Sequence, residues 1–370
     1  MCADELKYPR SPQYLQLPQI SQPLVTALQL GILAVLQESG VLCHTVVGHS
    51  SGEIAAAVAA GYLTPEQAIL IAYYRGKATS EVLPSGSFGM MAVALEPEAV
   101  ATYLEDTSIE IACVNSPKST TLSGTTSELA ELEKTLTHEG HFARRLRVDM
   151  AYHSRHMKPA ADKYLALLQD NVPWHNTGQN NPAVQMHSST TGEVVSGDLG
   201  PDYWVRNMSS TVLFHQALRG IITQDNVVDL LIEIGPSSVL SGPVGQIQKV
   251  AGSAIPYTCA WERGPNALRA FLHLAGRLFN MGCPISLAPF NADGELEAPQ
   301  FVSDLPNYCW NHSVKYWHET AASRDWRFRR FLHHDLLGTK ILGTPWNHPI
   351  WKKSVRLGDV TWLRDHVVCF

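Results

Sequence analysis

The sequence predicts an α/β protein in which a small mixed domain is inserted into a larger one. An apolar strand ending at Val46-Val47 passes through a glycine-flanked turn into an alanine-rich helix, a junction typical of α/β enzymes. Strand and helix patterns then alternate over 89–148 in the order βαββαβ, the ferredoxin-like arrangement, before mixed patterns resume over 149–285. A chain of 370 residues has room for two or three such domains.

The N-terminal part of the chain predicts three helices. Residues 1–18 are polar and proline-dotted and predict a frayed lead-in, and "SQPLVTALQLGILAVLQESG" predicts a buried helix ending near Gly40. The alanine-rich helix after the turn has its expected stop at Gly61. For the third helix, Thr64 is the expected N-cap and Gln67 completes a capping box.

The inserted domain and the segments after it follow from local patterns. "GMMAVAL", "IEIACVNSP", "STTLSGT" and "FARRLRV" predict strands, and "PEAVATYLED" and "SELAELEKTLTHEG" predict helices. "VVDLLIEIGPSSVLSG" predicts a strand, a loop and a helix start. Residues 286–330 lack periodicity and are rich in Pro, Asn and aromatics, which indicates a linker that wraps over a neighbour. Residues 331–370 predict hairpin strands of a further domain that is cut short.

Composition excludes several classes of partner. The net charge of -6 is spread without a basic block, so neither nucleic acid nor an anionic membrane is expected. No apolar run reaches about 18 residues and no signal-peptide pattern is present, so we expect neither a membrane span nor secretion. The seven cysteines are scattered without a C-x-x-C, which favours a reduced, cytoplasmic location.

The strongest chemical signal is "GHSSG" at the strand-to-helix turn. It fits G-x-S-x-G, the nucleophile elbow, in which Ser50 occupies a strained position and the flanking residues must lack bulk. Its oxygen would lie at a helix N-terminus, where unpaired N–H groups can face developing negative charge. The alternative is a purely structural turn.

Two further side chains are candidates for the same chemistry. His153 follows the inserted domain's last strand and returns the chain to the seam between domains, where a substrate cleft would form. With His156 it could suggest a metal pair, but no further ligand has useful spacing, so no metal is expected. Arg75 lies in the apolar helix segment "IAYYRGKA". Either it extends to water, or it forms a fixed fork for a carboxylate.

Six motifs of this sequence together resemble those of a known family. "GHSSGE", "YYRGKA", "VNSPKSTTLSG", "VDMAYHSRHM", "YWVRNMSSTVLF" and "IEIGPSSVLSGP" closely resemble, in order and spacing, the acyltransferase domain of type I polyketide synthases. That domain is related to malonyl-CoA:ACP transacylase, and the motifs of this sequence are most similar to those of the fungal reducing synthases. The resemblance covers about 20–285. "LPNYCWNHSVKYW" is similar to the linker that follows, and "HDLLGTKILGTP" to the opening of the dehydratase domain.

The resemblance implies a hydrolase-like large subdomain, and a hotdog-type start after the linker. It also implies that Ser50 attacks the thioester of malonyl-CoA and that His153 accepts its proton and later activates the carrier thiol. In this family a backbone carbonyl orients the histidine, and the turn around Ser210 is the candidate. Arg75 would hold the malonyl carboxylate. No bound cofactor is implied; the acceptor is the phosphopantetheine of an acyl carrier domain, with ketosynthase and dehydratase domains as neighbours.

Three more positions match the pocket in the family. Gln22 and Asn115 match polar positions, although a helix cap or a turn residue would explain either one equally well. Tyr152 stands where methylmalonyl-type enzymes carry serine, so a smaller pocket and a preference for malonyl are expected. A single methyl group is worth only about 1–3 kcal/mol of discrimination.

Two departures from the family pattern limit the expected activity. The family begins with a strand and a G-Q-G-x-Q loop whose glutamine serves the oxyanion hole; this chain starts at Met1 without them, which leaves the Ser51 N–H as one donor. His366 matches a dehydratase motif, but Phe370 stands where glycine is expected, so no dehydratase activity is assigned. The alternatives to acyl transfer are a serine esterase or thioesterase, and a catalytically inactive synthase fragment.

Overall fold

A computed structural model describes residues 10–82, 86–174, 183–224, 228–262, 267–287 and 303–366. The chain divides into two units, Met1–Pro299 and Gln300–Phe370. Half of the predicted lead-in, residues 1–9, lies outside the described part of the chain, as do most of residues 286–302 and Phe370.

The first unit opens with helices that surround the predicted elbow. Its elements up to residue 82 are α1 Pro12–Leu15, α2 Pro18–Glu38, β1 Thr45–Val47, α3 Gly52–Ala59 and α4 Pro65–Val82. The capping box of α4 is confirmed, because the Thr64 N–H donates to Gln67 Oε1 at 2.8 Å and the Gln67 N–H donates to Thr64 Oγ1 at 3.2 Å. Gly61 follows α3 with a φ of 77°, at the predicted stop.

Helix α2 begins three residues earlier than the sequence predicts and packs along α4. The two helices approach most closely at Gly76, where a Cβ would lie 2.2 Å from the Pro18 carbonyl oxygen. Only glycine permits this contact, which brings the start of α2 beside the middle of α4.

By length and composition α2 could cross a membrane, with a mean hydropathy of 1.4. Within that apolar window, 28% of the residues are buried inside the protein. Ile32 and Leu36 are buried against Phe271, Leu274 and neighbouring side chains of a later helix. Polar residues interrupt its apolar surface, and one of them, Gln29, donates from Nε2 to the Ile234 carbonyl at 2.9 Å. These contacts hold α2 against the first unit.

A four-stranded antiparallel sheet with two helices forms the inserted domain. The elements follow in the predicted order: β2 Phe88–Val93, α5 Pro97–Ala101, β3 Glu110–Ser116, β4 Ser119–Thr125, α6 Thr126–His138 and β5 Ala143–Arg145. The strand order is β3-β4-β2-β5. One face of the sheet packs on α6 through Met91, Leu122 and Leu129. The other face packs through Met90 and Ala112 on helices of the larger part of the unit.

The rest of the first unit supplies two short parallel strand pairs and five helices among its described residues. The elements are α7 Lys158–Asn171, β6 Gln185–His187, α8 Pro201–Ser209, α9 Phe214–Ile222, β7 Leu231–Glu233, α10 Ser241–Ala251, β8 Tyr257–Cys259 and α11 Ala267–Asn280. Strand β1 pairs in parallel with β6, and β7 pairs with β8. The main core joins α3, α4, α7 and α8 around Trp204, Tyr164 and Ile71. This core packs against the buried face of α3, the helix that follows the elbow.

The second unit contains α12 Ala321–Phe328 and the strands β9 Thr339–Lys340 and β10 Trp351–Lys352, which pair antiparallel. The hairpin pattern predicted for 331–370 is therefore present as two-residue strands. Residues 286–330, predicted to be a linker without periodicity, include α12, whose Thr320 N-cap accepts from the Ser323 N–H at 3.2 Å. Exposed aromatics precede it in this unit: Tyr308, Trp310, Tyr316 and Trp317.

Candidate active site

Ser50 lies in the sharp turn between β1 and α3. Its φ of 55° puts a non-glycine residue in the left-handed region, the strained geometry of a nucleophile elbow. A Cβ at Gly48 would lie 2.2 Å from the Glu53 nitrogen, so glycine is required there. At Gly52 a Cβ would meet only Gln29 Nε2, at 3.8 Å. The expectation that both flanking residues must lack bulk is therefore wrong for Gly52, because α3 leaves room on that side.

His153 is the hydrogen-bond partner of the Ser50 hydroxyl. Ser50 Oγ lies 2.6 Å from His153 Nε2, and His153 Nδ1 lies 2.9 Å from the Ser210 carbonyl oxygen. A carbonyl can only accept, so Nδ1 carries the proton, and Nε2 is left to accept the Ser50 hydroxyl proton. The backbone around His153 is fixed as well, with a φ of 63° and its N–H bound to the Met208 carbonyl. The arrangement is a serine and a histidine held by a backbone carbonyl, and no acidic side chain among the described residues bonds to this imidazole.

Electrostatics keep this imidazole neutral. Burial, and then the neighbouring Arg75 cation, lower the pKa of His153 to about 3, although the bond to the Ser210 carbonyl acts in the opposite direction. Cys113 also lines the site, but burial raises the pKa of its thiol to about 12, so it stays protonated. Of Ser50 and Cys113, Ser50 is therefore the activated nucleophile, because its hydroxyl is bonded to a neutral histidine.

Arg75 is buried beside the serine and does not extend to water. It is 1% exposed, its Nη2 donates to Ser50 Oγ at 3.2 Å, and its Nη1 donates to Asn207 Oδ1 at 2.6 Å. Its Cζ lies 5.7 Å from the centroid of the Tyr152 ring. Of the two interpretations left open by the sequence, the geometry favours a fixed guanidinium.

The charge of Arg75 has no direct counterion in the described residues. None of their ion pairs includes it, and its Nε has no hydrogen-bond partner there. Burial lowers the pKa of this guanidinium, which measures the cost of keeping the cation out of water. A buried cation with an unused donor next to a nucleophile is suited to bind a carboxylate.

A cavity of about 150 Å³ connects these groups. The residues that line it are Gln22, His49, Ser50, Arg75, Met90, Cys113, Thr121, Leu146, Tyr152 and His153. They come from α2, the elbow, α4, the small sheet and the segment after β5, so both parts of the first unit contribute. The volume suits an acyl group of few atoms, since drug-sized ligands occupy about 300 Å³ or more.

Asn115 lies one layer behind this cavity and does not line it. Its Oδ1 bonds to His49 Nε2 at 2.7 Å, and its Nδ2 donates to Thr121 Oγ1 at 3.0 Å. His49 itself lines the cavity, and burial lowers its pKa. Sequence reasoning missed His49, although its position next to the nucleophile was a signal.

The backbone N–H of Ser51, next to the nucleophile, is the expected oxyanion donor. The N–H groups of Gly52 and Glu53 bond back to the carbonyls of His49 and Ser50, whereas none of the described hydrogen bonds uses the Ser51 N–H. It is the N-cap residue of α3, so its N–H is one of the unpaired donors at a helix start.

Two buried residues behind Arg75 were not expected. Asn207, on α8, contacts the guanidinium, and Glu53, in the first turn of α3, contacts Asn207. Both are almost fully buried, at 2% and 0% exposure. The signals in the sequence were an asparagine within the apolar face of "YWVRNM" and an acid within the apolar "GEIAAAVA".

Neither His156 nor the larger cavity belongs to this constellation. His156 Nε2 contacts the Ser108 carbonyl at 3.0 Å, away from His153. No group of three potential metal ligands occurs among the residues with described positions. A cavity of about 730 Å³ lies between β8 and α11, and none of the predicted site residues lines it.

Comparisons with known proteins agree with this geometry. The model of the acyl transferase domain family matches residues 10–283. A highly reducing polyketide synthase of Stachybotrys chlorohalonatus is 50% identical over 98% of the chain, which spans about 16% of that relative's length. The acyltransferase domain of salinomycin synthase module 8 is similar at 29% identity and a TM-score of 0.67, covering 73% of this chain and 62% of that one. Malonyl CoA-acyl carrier protein transacylase from Clostridium perfringens is similar at 26% sequence identity and a TM-score of 0.65. The match covers 75% of this chain and 85% of that one.

Proposed function

Since the chain belongs to the acyl transferase domain family and matches polyketide synthases over nearly its whole length, we propose that it transfers malonyl groups from malonyl-CoA to a carrier thiol. The observation that carries the choice of substrate is Arg75. Its buried guanidinium donates to Ser50 Oγ at 3.2 Å and makes no ion pair among the described residues. A carboxylate on the acyl group would supply the missing counterion.

The proposed chemistry is acyl transfer through a serine ester. Ser50 Oγ attacks the thioester carbonyl while its proton passes to His153 Nε2. The new C–O bond gives a tetrahedral oxyanion, which collapses as the C–S bond breaks and the proton on Nε2 passes to the departing CoA sulfur. The phosphopantetheine thiol of a carrier domain then loses its proton to the same nitrogen and attacks the ester carbonyl. The C–O bond to Ser50 breaks, and Nε2 returns the proton to Ser50 Oγ. The Ser210 carbonyl stabilises the imidazolium formed in both halves.

Ser51 is the proposed oxyanion donor. Its N–H is free of the described hydrogen bonds and lies at the start of α3, where the helix dipole favours negative charge. Gln22 lines the cavity on the opposite side, from α2, and we assign it to contacts with the acyl group. Asn115 is assigned an indirect part, since it holds His49 against the cavity.

Intact-mass measurement of the 370-residue chain after brief exposure to malonyl-CoA tests this function. We expect one malonyl adduct on the unmodified protein and none on Ser50→Ala. Adding phosphopantetheinylated carrier domain should discharge the adduct much faster than buffer alone. Discharge by water at the same rate would favour a thioesterase. A folded chain that forms no adduct would contradict the proposal and favour an inactive fragment.

Tyr152 is proposed to restrict the acyl group to malonyl. Its ring lines the cavity, and its hydroxyl lies 3.5 Å from Thr79 Oγ1 on α4, which limits ring movement. Replacing Tyr152 with serine should raise methylmalonyl loading relative to malonyl loading by about tenfold, since a methyl group then finds space. Competition between the two CoA esters, read by mass, measures the ratio.

Tyr62→Ser is the matched control for this change. Its hydroxyl lies 3.5 Å from the Val195 carbonyl, and its ring does not line the cavity. An equal shift in both variants, or none in Tyr152→Ser, would show that Tyr152 does not set the preference.

The finer organisation is part of the proposal. We assign 1–285 to the acyltransferase domain, with a hydrolase-like large subdomain and a ferredoxin-like small subdomain at about 89–148, supported by the strand order β3-β4-β2-β5. Residues 286–330 are assigned to a linker and 331–370 to the hotdog-type start of a dehydratase domain. The partners would be the carrier, ketosynthase and dehydratase domains of one cytoplasmic synthase. The scattered cysteines without a C-x-x-C support that location.

A further inference from the structure

We propose that Asn207, oriented by the buried carboxylate of Glu53, is a positioning residue that fixes the Arg75 guanidinium for acyl donors bearing a carboxylate. The inference rests on the proposed function and deepens it. Asn207 touches neither the cavity nor the reacting atoms, since it is absent from the cavity lining and lies behind Arg75. Its effect would therefore pass through the arginine.

The amide of Asn207 has only one orientation that satisfies its neighbours. Arg75 Nη1 can only donate, and it lies 2.6 Å from Oδ1. The Nδ2 group faces three acceptors: the Ser50 carbonyl at 3.1 Å, Glu53 Oε2 at 2.9 Å and Thr190 Oγ1 at 3.4 Å. Turning the amide over would place its NH₂ group against the Arg75 donor and its oxygen against the Ser50 and Glu53 oxygens. One side chain thereby links the guanidinium to the backbone of the nucleophile.

Glu53 is held as firmly as the amide that it orients. Its carboxylate is fully buried and accepts from Tyr203 Oη at 2.6 Å, Thr190 Oγ1 at 3.1 Å and the backbone N–H groups of Ser189 and Thr190. Every one of these partners is a donor, which satisfies a buried carboxylate without an ion pair. Glu53 also lies in the first turn of α3, so elbow, carboxylate and amide form one rigid support.

This support leaves one side of Arg75 unused. The planar guanidinium carries Nε–H and an Nη2–H along one edge, and a carboxylate can accept from both. Asn207 occupies Nη1, at the other end, while Nε has no partner among the described residues and Nη2 contacts only Ser50 Oγ. Holding Nη1 thus fixes the guanidinium beside the serine, with Nη2 at 3.2 Å from Ser50 Oγ.

The test compares loading with malonyl-CoA and acetyl-CoA, which differ in the carboxylate. In Asn207→Leu we expect the ratio of malonyl to acetyl kcat/KM to fall by about ten- to a hundredfold, the range for losing a hydrogen bond to a charged group. In Asn207→Asp, which is isosteric, a carboxylate competes for Arg75, so the malonyl KM should rise while acetyl loading persists. In an Arg75→Ala background, Asn207→Leu should change the ratio less than about twofold.

Gln67→Leu is the matched control, because Gln67 is also a buried amide on a helix, bonded to the Pro173 carbonyl at 2.7 Å outside the cavity. We expect it to lower the melting temperature and leave the ratio unchanged. If Asn207→Leu and Asn207→Asp shift the ratio no more than Gln67→Leu, while the unmodified chain loads malonyl, the positioning role alone is overturned. An unmodified, folded chain that loads no malonyl would overturn the proposed function and this inference together.

Discussion

Replacing His153 with alanine is expected to slow formation of the acyl-enzyme by about 10³-fold, within the range for losing a general base. His153 Nε2 lies 2.6 Å from Ser50 Oγ and is the one imidazole that contacts the nucleophile among the residues described. Without it, none of the described side chains is hydrogen-bonded to the Ser50 hydroxyl as a proton acceptor. Rapid quenching followed by intact-mass analysis measures the rate constant for loading at saturating malonyl-CoA.

His156→Ala is the appropriate control, because it makes the same change three residues later in the chain. His156 contacts the Ser108 carbonyl and the Phe88 ring and does not line the cavity. Its loading rate should stay within about twofold of the unmodified protein, as for other changes outside the site. Equal losses in both variants would show that the segment, and not the His153 base, was lost.

The pH profile gives a second measure of the same base. The pKa of His153 is about 3, because of burial and then of Arg75, so the loading rate should hold from pH 7 to about pH 5, where an ordinary histidine would already be protonated. Between about pH 6.5 and 3 the unfolded chain binds a proton here that the folded chain does not. Stability therefore falls as the pH falls, by up to ~1.4 kcal/mol per pH unit. Circular dichroism in the same buffers separates this loss from a titrating base.

The parts of the fold that could be predicted from sequence are those encoded by adjacent residues. The capping box of Thr64 and Gln67, the stop at Gly61 and the elbow at Ser50 each depend on a few neighbouring side chains. Helix α12 escaped prediction because it spans only eight residues within an aromatic segment. Such a short helix has too few turns to show a periodic apolar face.

The site was predictable only to the extent that family motifs name its residues. The contacts of Arg75 with Asn207, and of Glu53 with Asn207, join residues more than 130 positions apart. No local pattern encodes such a pairing, since a buried acid or amide becomes interpretable only when its partners are known. For the same reason the hydrogen bond between Asn115 and His49 could not be predicted.

Replacing Arg75 with alanine is expected to lower the preference for malonyl-CoA over acetyl-CoA by about 10²- to 10³-fold, the cost of removing one partner of a buried charge pair. Loading of each CoA ester, measured separately by quenched intact mass, gives the ratio. Arg155→Ala is the control: Arg155 pairs with Glu110 at 3.1 Å on the surface and should not change the ratio. Arg75→Lys should be intermediate, because it keeps the charge and loses the fork.

In Arg75→Ala, loading from malonyl-CoA should slow while loading from acetyl-CoA should not, because Arg75 acts on both the substrate carboxylate and the His153 base. Its cation lowers the pKa of His153, and a bound malonyl carboxylate would offset that charge, whereas acetyl would not. In Arg75→Ala the pKa of His153 therefore moves up towards its ordinary value. The rate of acetyl loading at neutral pH should be preserved or increased. The pH below which this rate falls should be higher than in the unmodified protein, because His153 is protonated at a higher pH. If instead both donors slowed equally in a folded variant, Arg75 would be a structural residue and the assignment of a carboxylated substrate would fail.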